Sequence, residues 1–65
     1  MITLNGKPES GFDGRLLTEL LTAHSYRTEL IAVEYNGEIL PKSSYGDTVL
    51  KDGDSLEVVS FVGGG

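Results

Sequence analysis

The stretch Asp52-Gly53-Asp54-Ser55-Leu56-Glu57-Val58-Val59-Ser60-Phe61-Val62-Gly63-Gly64-Gly65 holds a turn, a strand and a run of glycines, in that order. Leu56, Val58, Ser60 and Val62 alternate with Glu57, Val59 and Phe61, and a period of two puts the sets on opposite faces of a strand. Leu56 and Val58 are the pair expected to face a core. Val59 and Phe61 then lie on the other face, next to the glycine arm. Glycine is the costliest residue to order and packs nothing. Residues 63–65 are therefore expected to form a flexible tail that contributes nothing to folding, attached to a domain spanning 1–62.

The rest of the chain supplies partners for that strand. Ile2-Thr3-Leu4 opens a strand, and Asn5-Gly6 is a tight hairpin signal. The return strand within Lys7 to Phe12 is weak, because Pro8 cannot donate to a ladder, and it belongs on a sheet edge. Arg15 to His24 is the one helical pattern, with Leu16, Leu17, Leu20, Leu21 and His24 on one face. Asp13 is the expected N-cap. Ile31, Val33 and Tyr35 alternate with Ala32, Glu34 and Asn36 as a half-buried strand. Asn36-Gly37 turns it into Glu38-Ile39-Leu40, which Pro41 stops. Lys42 to Asp47 reads as loop. Two hairpin-like halves joined through one helix predict an α+β roll of the β-grasp (ubiquitin-like) kind, a four- to five-stranded mixed sheet with the helix across one face.

One helix covers one face only. Val59 and Phe61 therefore mark a docking patch for a partner, unless a loop residue such as Tyr45 shields them.

Length and composition narrow the function. The chain has 65 residues, enough for one small domain, and such a domain buries only about 60% of its unfolded surface. Cysteine is absent, which excludes disulfide staples and thiolate metal sites. Met1 enters a structural pattern without a basic leader, and no apolar run approaches the ~18 residues needed to span a bilayer. A soluble, cytoplasmic protein is expected. Ten acidic side chains against five basic ones give a net charge of −5. That surface repels nucleic-acid phosphates and anionic lipid. It favours a basic protein partner, or it serves solubility.

Side-chain catalysis has almost nothing to work with. His24 is the single histidine, and one histidine without cysteine builds no zinc site of the usual spacing. Ser43-Ser44-Tyr45 lacks a neighbouring base. Asp52-Gly53-Asp54 lacks the ligand spacing and closing glutamate of a calcium loop. No helix follows the glycines to make a phosphate cradle. The carboxylate of Gly65 remains as the candidate reactive group. A carboxylate is a poor electrophile, so its chemistry needs prior activation, most simply as an acyl-adenylate made with ATP by another protein. Three glycines reach about 10 Å and thread a slot too narrow for a Cβ, which makes Gly63 and Gly64 the threading arm.

Asn36-Gly37-Glu38-Ile39-Leu40-Pro41-Lys42, the run Asp52 to Val59 and the terminal Gly64-Gly65 together resemble the ThiS family, the sulfur carriers of thiamine biosynthesis. The likeness spans essentially the whole chain. The turn Asp52-Gly53-Asp54 with a diglycine at this spacing is its specific part. Gly63 stands where relatives carry a small residue. Two departures appear: Leu16 stands where relatives often place a capping Thr or Ser, and Lys7 to Phe12 matches poorly.

The resemblance implies a protein co-substrate and not an enzyme. A ThiF-like adenylyltransferase would activate the Gly65 carboxylate with Mg-ATP. A cysteine desulfurase or other sulfur donor would convert it to a thiocarboxylate, and thiazole synthase (ThiG-like) would take the sulfur. The chain itself would bind no cofactor and no metal. A molybdopterin-synthase-type carrier, a ubiquitin-like protein modifier and a non-covalent interaction domain are the competing readings.

Overall fold

The computed structural model describes residues 1–61. Its strands are β1 (Ile2–Leu4), β2 (Lys7–Glu9), β3 (Ile31–Tyr35), β4 (Glu38–Leu40) and β5 (Ser55–Ser60), with one α-helix, α1 (Leu17–Ala23). They form one five-stranded sheet in the order β2-β1-β5-β3-β4. The central pair β1 and β5 is parallel, with Leu4 beside Leu56. The other three pairings are antiparallel. A mixed sheet with its first and last strands at the centre and one helix on one face is the β-grasp roll.

Both Asn-Gly hairpins take the geometry their residues favour. Asn5 and Gly6 have φ of 52° and 81°, and Asn36 and Gly37 have 52° and 88°. Positive φ at both central positions matches the turn to the strand twist, and asparagine and glycine tolerate it best. β2 carries Pro8 opposite Thr3 on the sheet edge, where a missing N–H is harmless.

The core is the layer between the sheet and α1. Ile2, Leu4, Ile31, Val33, Leu56 and Val58 from the strands meet Leu17, Leu20 and Leu21 from the helix. Fully burying a leucine or isoleucine side chain is worth about 1.5–3 kcal/mol, so these few residues dominate the stability of so small a domain. Leu50 and Tyr45 complete the cluster. Tyr45 comes from 42–47, which is a 3₁₀ helix (Lys42–Asp47) and not the open loop expected, because its tyrosine is needed to close the core.

The helix begins later than its apolar pattern suggests. Leu16, not Asp13, is the N-cap, with extended φ and ψ of −74° and 147°. The cause is a ladder to the segment before β5. The Gly14 amide donates to the Leu50 carbonyl at 2.8 Å, the Leu50 amide to Arg15 at 2.8 Å, and the Leu17 amide to Thr48 at 2.8 Å. Those bonds tie residues 14–17 to the segment 48–50 and hold Leu16 extended. Leu16 has no side-chain acceptor for the first turn, but the Glu19 carboxylate accepts the Leu16 amide at 3.1 Å, half of a capping box. Glu19 also takes the Arg15 guanidinium at 2.7 Å. The hydrogen bonds from Arg15 and from the Leu16 backbone hold its carboxyl below the usual range.

At the other end, the Tyr26 amide bonds to Leu21 and the Ser25 amide to Thr22. Ser25 sits at φ 61°, so the helix closes in a Schellman motif without glycine.

Candidate functional site

β5 is the centre of the sheet and the strand that leads to the glycines. Its register with β3 places Ser60 beside Ile31, Val59 beside Ala32 and Glu57 beside Glu34. Leu56 and Val58 are buried, as the alternation requires. Val59 and Phe61 are 57% and 56% exposed. Tyr45 does not shield them, since its ring lies buried in the core cluster.

The open face has a third large apolar member. Ile39 on β4 is 69% exposed and pairs with Glu34, which puts it on the same outer face as Ala32 and Val59. In the sequence Ile39 shows only as part of a return strand. Its signal lay in the register, because a residue paired with exposed Glu34 must itself point outward. Glu34 and Glu57 are exposed on the same face beside these apolar side chains. The site is thus an apolar strip with an acidic border at the end of β5.

Phe61 is held at the margin of that strip. Its amide donates to the Leu30 carbonyl at 2.6 Å, continuing the β3–β5 ladder by one rung into the 3₁₀ turn Thr28–Leu30. Gly63, Gly64 and Gly65, read from the sequence as arm and reactive group, lie outside the described residues, as does Val62.

A second cluster of titratable groups is structural. Asp54 is 3% exposed. It accepts hydrogen bonds from Tyr35 Oη at 2.7 Å, Asn36 Nδ2 at 3.1 Å and the Lys51 amide at 2.9 Å. Burial is the largest single influence on its carboxyl and pushes the pKa up, but these bonds and the Lys51 charge together outweigh it and hold the value below the ordinary range. Lys51 Nζ contacts Tyr35 Oη at 3.2 Å, and that bond, with the nearby Asp54 charge, raises the lysine. The network fastens the Asn36 turn to the start of β5, the end of the sheet away from Phe61. Asp52-Gly53-Asp54 is therefore a turn whose second aspartate is a buried clamp.

His24 caps the end of α1 and meets Glu9 of β2 at 3.1 Å. Among the described residues, no group of three histidine or acidic side chains is placed to hold a metal ion. Nor is any helix among them long and apolar enough to cross a membrane.

The model of the ThiS family matches residues 2–65. The sulfur carrier protein ThiS of Bacillus subtilis (strain 168) is 38% identical over 66 aligned residues, covering the whole of both chains. The thiazole synthase of Magnetococcus marinus is 41% identical over 64 residues, and the chain spans 20% of that protein's length. The crystal structure of the thiamine biosynthesis protein (ThiS) from Geobacter metallireducens superposes with a TM-score of 0.76 at 43% identity. That match covers 98% of this chain and 97% of the other.

Proposed function

This chain belongs to the ThiS family, and on that premise we propose that it carries sulfur for thiazole formation in thiamine biosynthesis, with the Gly65 carboxylate as the group that is loaded. The observation that carries the reading is the end-to-end likeness to a sulfur carrier protein, with the family match running through Gly65. The fold adds a reason. β5 ends beside an uncovered apolar strip, so a partner seated on Val59, Phe61 and Ile39 would hold the chain next to the point where the glycine arm begins.

The chemistry balances in two steps. A carboxylate oxygen of Gly65 attacks the α-phosphorus of ATP, the bond to the β-phosphate bridging oxygen breaks, and pyrophosphate leaves with its electron pair. The product is an acyl-adenylate. A hydrosulfide equivalent then adds to the acyl carbon and AMP departs, leaving a thiocarboxylate and one released proton. With hydrosulfide as the donor no oxidant or reductant is consumed; a desulfurase persulfide would instead displace AMP to give an acyl disulfide, and a thiol must then reduce its S–S bond by two electrons to free the thiocarboxylate. A ThiF-like adenylyltransferase supplies Mg-ATP and the active site, and a cysteine desulfurase or another donor supplies the sulfur. This chain is the co-substrate and is regenerated as a carboxylate after delivery.

A segment similar to this chain makes up 20% of a protein named thiazole synthase, which supports thiazole synthase as the sulfur acceptor. The acidic border of the strip favours partner surfaces that bring lysine or arginine to its rim. We place these encounters in the cytoplasm.

Reconstitution tests the reading. The chain, a ThiF-like enzyme, Mg-ATP, a sulfide source and thiazole synthase with its remaining substrates should yield thiazole in proportion to the chain added. Thiazole formation that is indifferent to the chain would refute it.

A further inference from the structure

β1 and β4 both stop before the sheet's ladder is complete, and both stop at the end where β5 leaves it. β1 ends at Leu4 beside Leu56, the Asn5 amide still donates to the Leu56 carbonyl at 2.8 Å, and the rung after that is made by a side chain. Asn5 Oδ1 accepts the Val58 amide at 2.7 Å, and Asn5 Nδ2 donates to the Val58 carbonyl at 3.3 Å. A side-chain amide thus takes the place of a strand. β4 ends at Leu40, and Pro41 follows. Continuing the β3–β4 register would set Lys42 beside Ile31. Lys42 Nζ donates there to the Ile31 carbonyl at 3.1 Å and also to the Thr28 carbonyl at 2.9 Å. Those two carbonyls bracket Leu30, whose own carbonyl accepts the Phe61 amide.

We infer that Asn5 and Lys42 are positioning residues for the loading step: one on each side, they fix the end of β5 as far as Phe61. Asn5 acts on β5 directly. Lys42 acts through Leu30. Their contribution is alignment, and acyl transfer inside another protein's active site is sensitive to it, since a displacement of about 1 Å can cost on the order of a hundredfold in rate.

This inference rests on the sulfur-carrier reading, and the test separates the two. The variants are Asn5→Gly, which keeps the positive φ of the turn, Lys42→Met, which keeps the apolar stem, and Lys42→Arg, whose fork can again serve two carbonyls. Each is assayed as substrate of a ThiF-like enzyme with Mg-ATP and sulfide, and thermal denaturation confirms that each is folded. We expect kcat to fall about tenfold or more in Asn5→Gly and Lys42→Met with KM for the carrier nearly unchanged, and Lys42→Arg to recover most of it. Amide exchange gives a second readout. Lys42→Met should speed exchange at Phe61, which the lysine does not touch, and leave Asn36 at the far end protected.

Unchanged kcat in both variants, a rise in KM alone, or unaltered exchange at Phe61 in Lys42→Met would overturn the inference. If the wild-type chain is never loaded, the carrier reading fails instead, and the exchange experiment alone decides the positioning role.

Discussion

Glu34 and Glu57 stand directly opposite each other on β3 and β5, both exposed on the open face of the sheet. Like charges facing across two strands destabilise a sheet, by an amount within the roughly 0.2–1 kcal/mol scale of cross-strand pairs. Keeping them beside Ile39 and Val59 is consistent with a surface shaped for a basic partner. Glu57→Gln should raise the melting temperature slightly, by a few degrees at most. The same change should weaken association with the activating enzyme, with the loss largest at low salt. Calorimetry and a salt series of binding isotherms check both halves.

Truncating the apolar strip should separate binding from folding. Val59 and Phe61 are exposed and Leu56 and Val58 are buried, so Val59→Ser and Phe61→Ser remove no core contact. Each should lower partner affinity about tenfold or more, the loss expected of a central interface residue, while the melting temperature stays close to wild type. Ile39→Ser should behave in the same way if the docking surface extends across β3 to β4.

Asp54 gives the fold a defined acid sensitivity. Asp54→Asn puts an amide N–H₂ among groups that are themselves donors, Tyr35 Oη, Asn36 Nδ2 and the Lys51 amide. Disrupting such a buried set costs about 1–3 kcal/mol, or some 4–20 °C in melting temperature for a domain of this size. The folded carboxyl lies below its ordinary value. Its contribution is therefore complete above the unfolded pKa of about 3.9 and is lost as pH falls through the lower folded value. The gap in melting temperature between wild type and Asp54→Asn should be widest near neutrality and narrow below about pH 4.

The tail should be separable from the fold. Gly65→Ala, or removal of Gly65, should abolish sulfur loading and thiazole formation, and a thiamine auxotroph carrying either variant should fail to grow without thiamine. The melting temperature should not change. Growth at the wild-type rate would contradict the role given to Gly65.

Much of this architecture can be read from residue patterns alone. Strand alternation predicts that Leu56 and Val58 are buried and that Val59 and Phe61 are exposed. The two Asn-Gly pairs mark both hairpins, and a single apolar helix face implies a single covered side. What escapes a linear reading is long-range pairing. Arg15 and Leu16 carry helical periodicity, yet the backbone from Gly14 to Leu17 is bonded to Thr48 and Leu50, so the helix starts at Leu17. Asp54 reads as one more turn aspartate until Tyr35 and Asn36 are brought to it from β3 and its turn. Tyr45 and Leu50 sit in segments that look like loop and are core. Asn5 and Lys42 read as a turn residue and a loop cation, and only the sheet register shows them finishing two strands.

Intact-mass spectrometry after incubation with a ThiF-like enzyme, Mg-ATP and a sulfide source puts the proposed chemistry to its most direct test. The expected result is a gain equal to one oxygen exchanged for sulfur, located on the peptide ending in Gly65 and absent without ATP. An unmodified mass under conditions where the enzyme loads another carrier, or a stable adduct joining Gly65 to a target lysine, would contradict it.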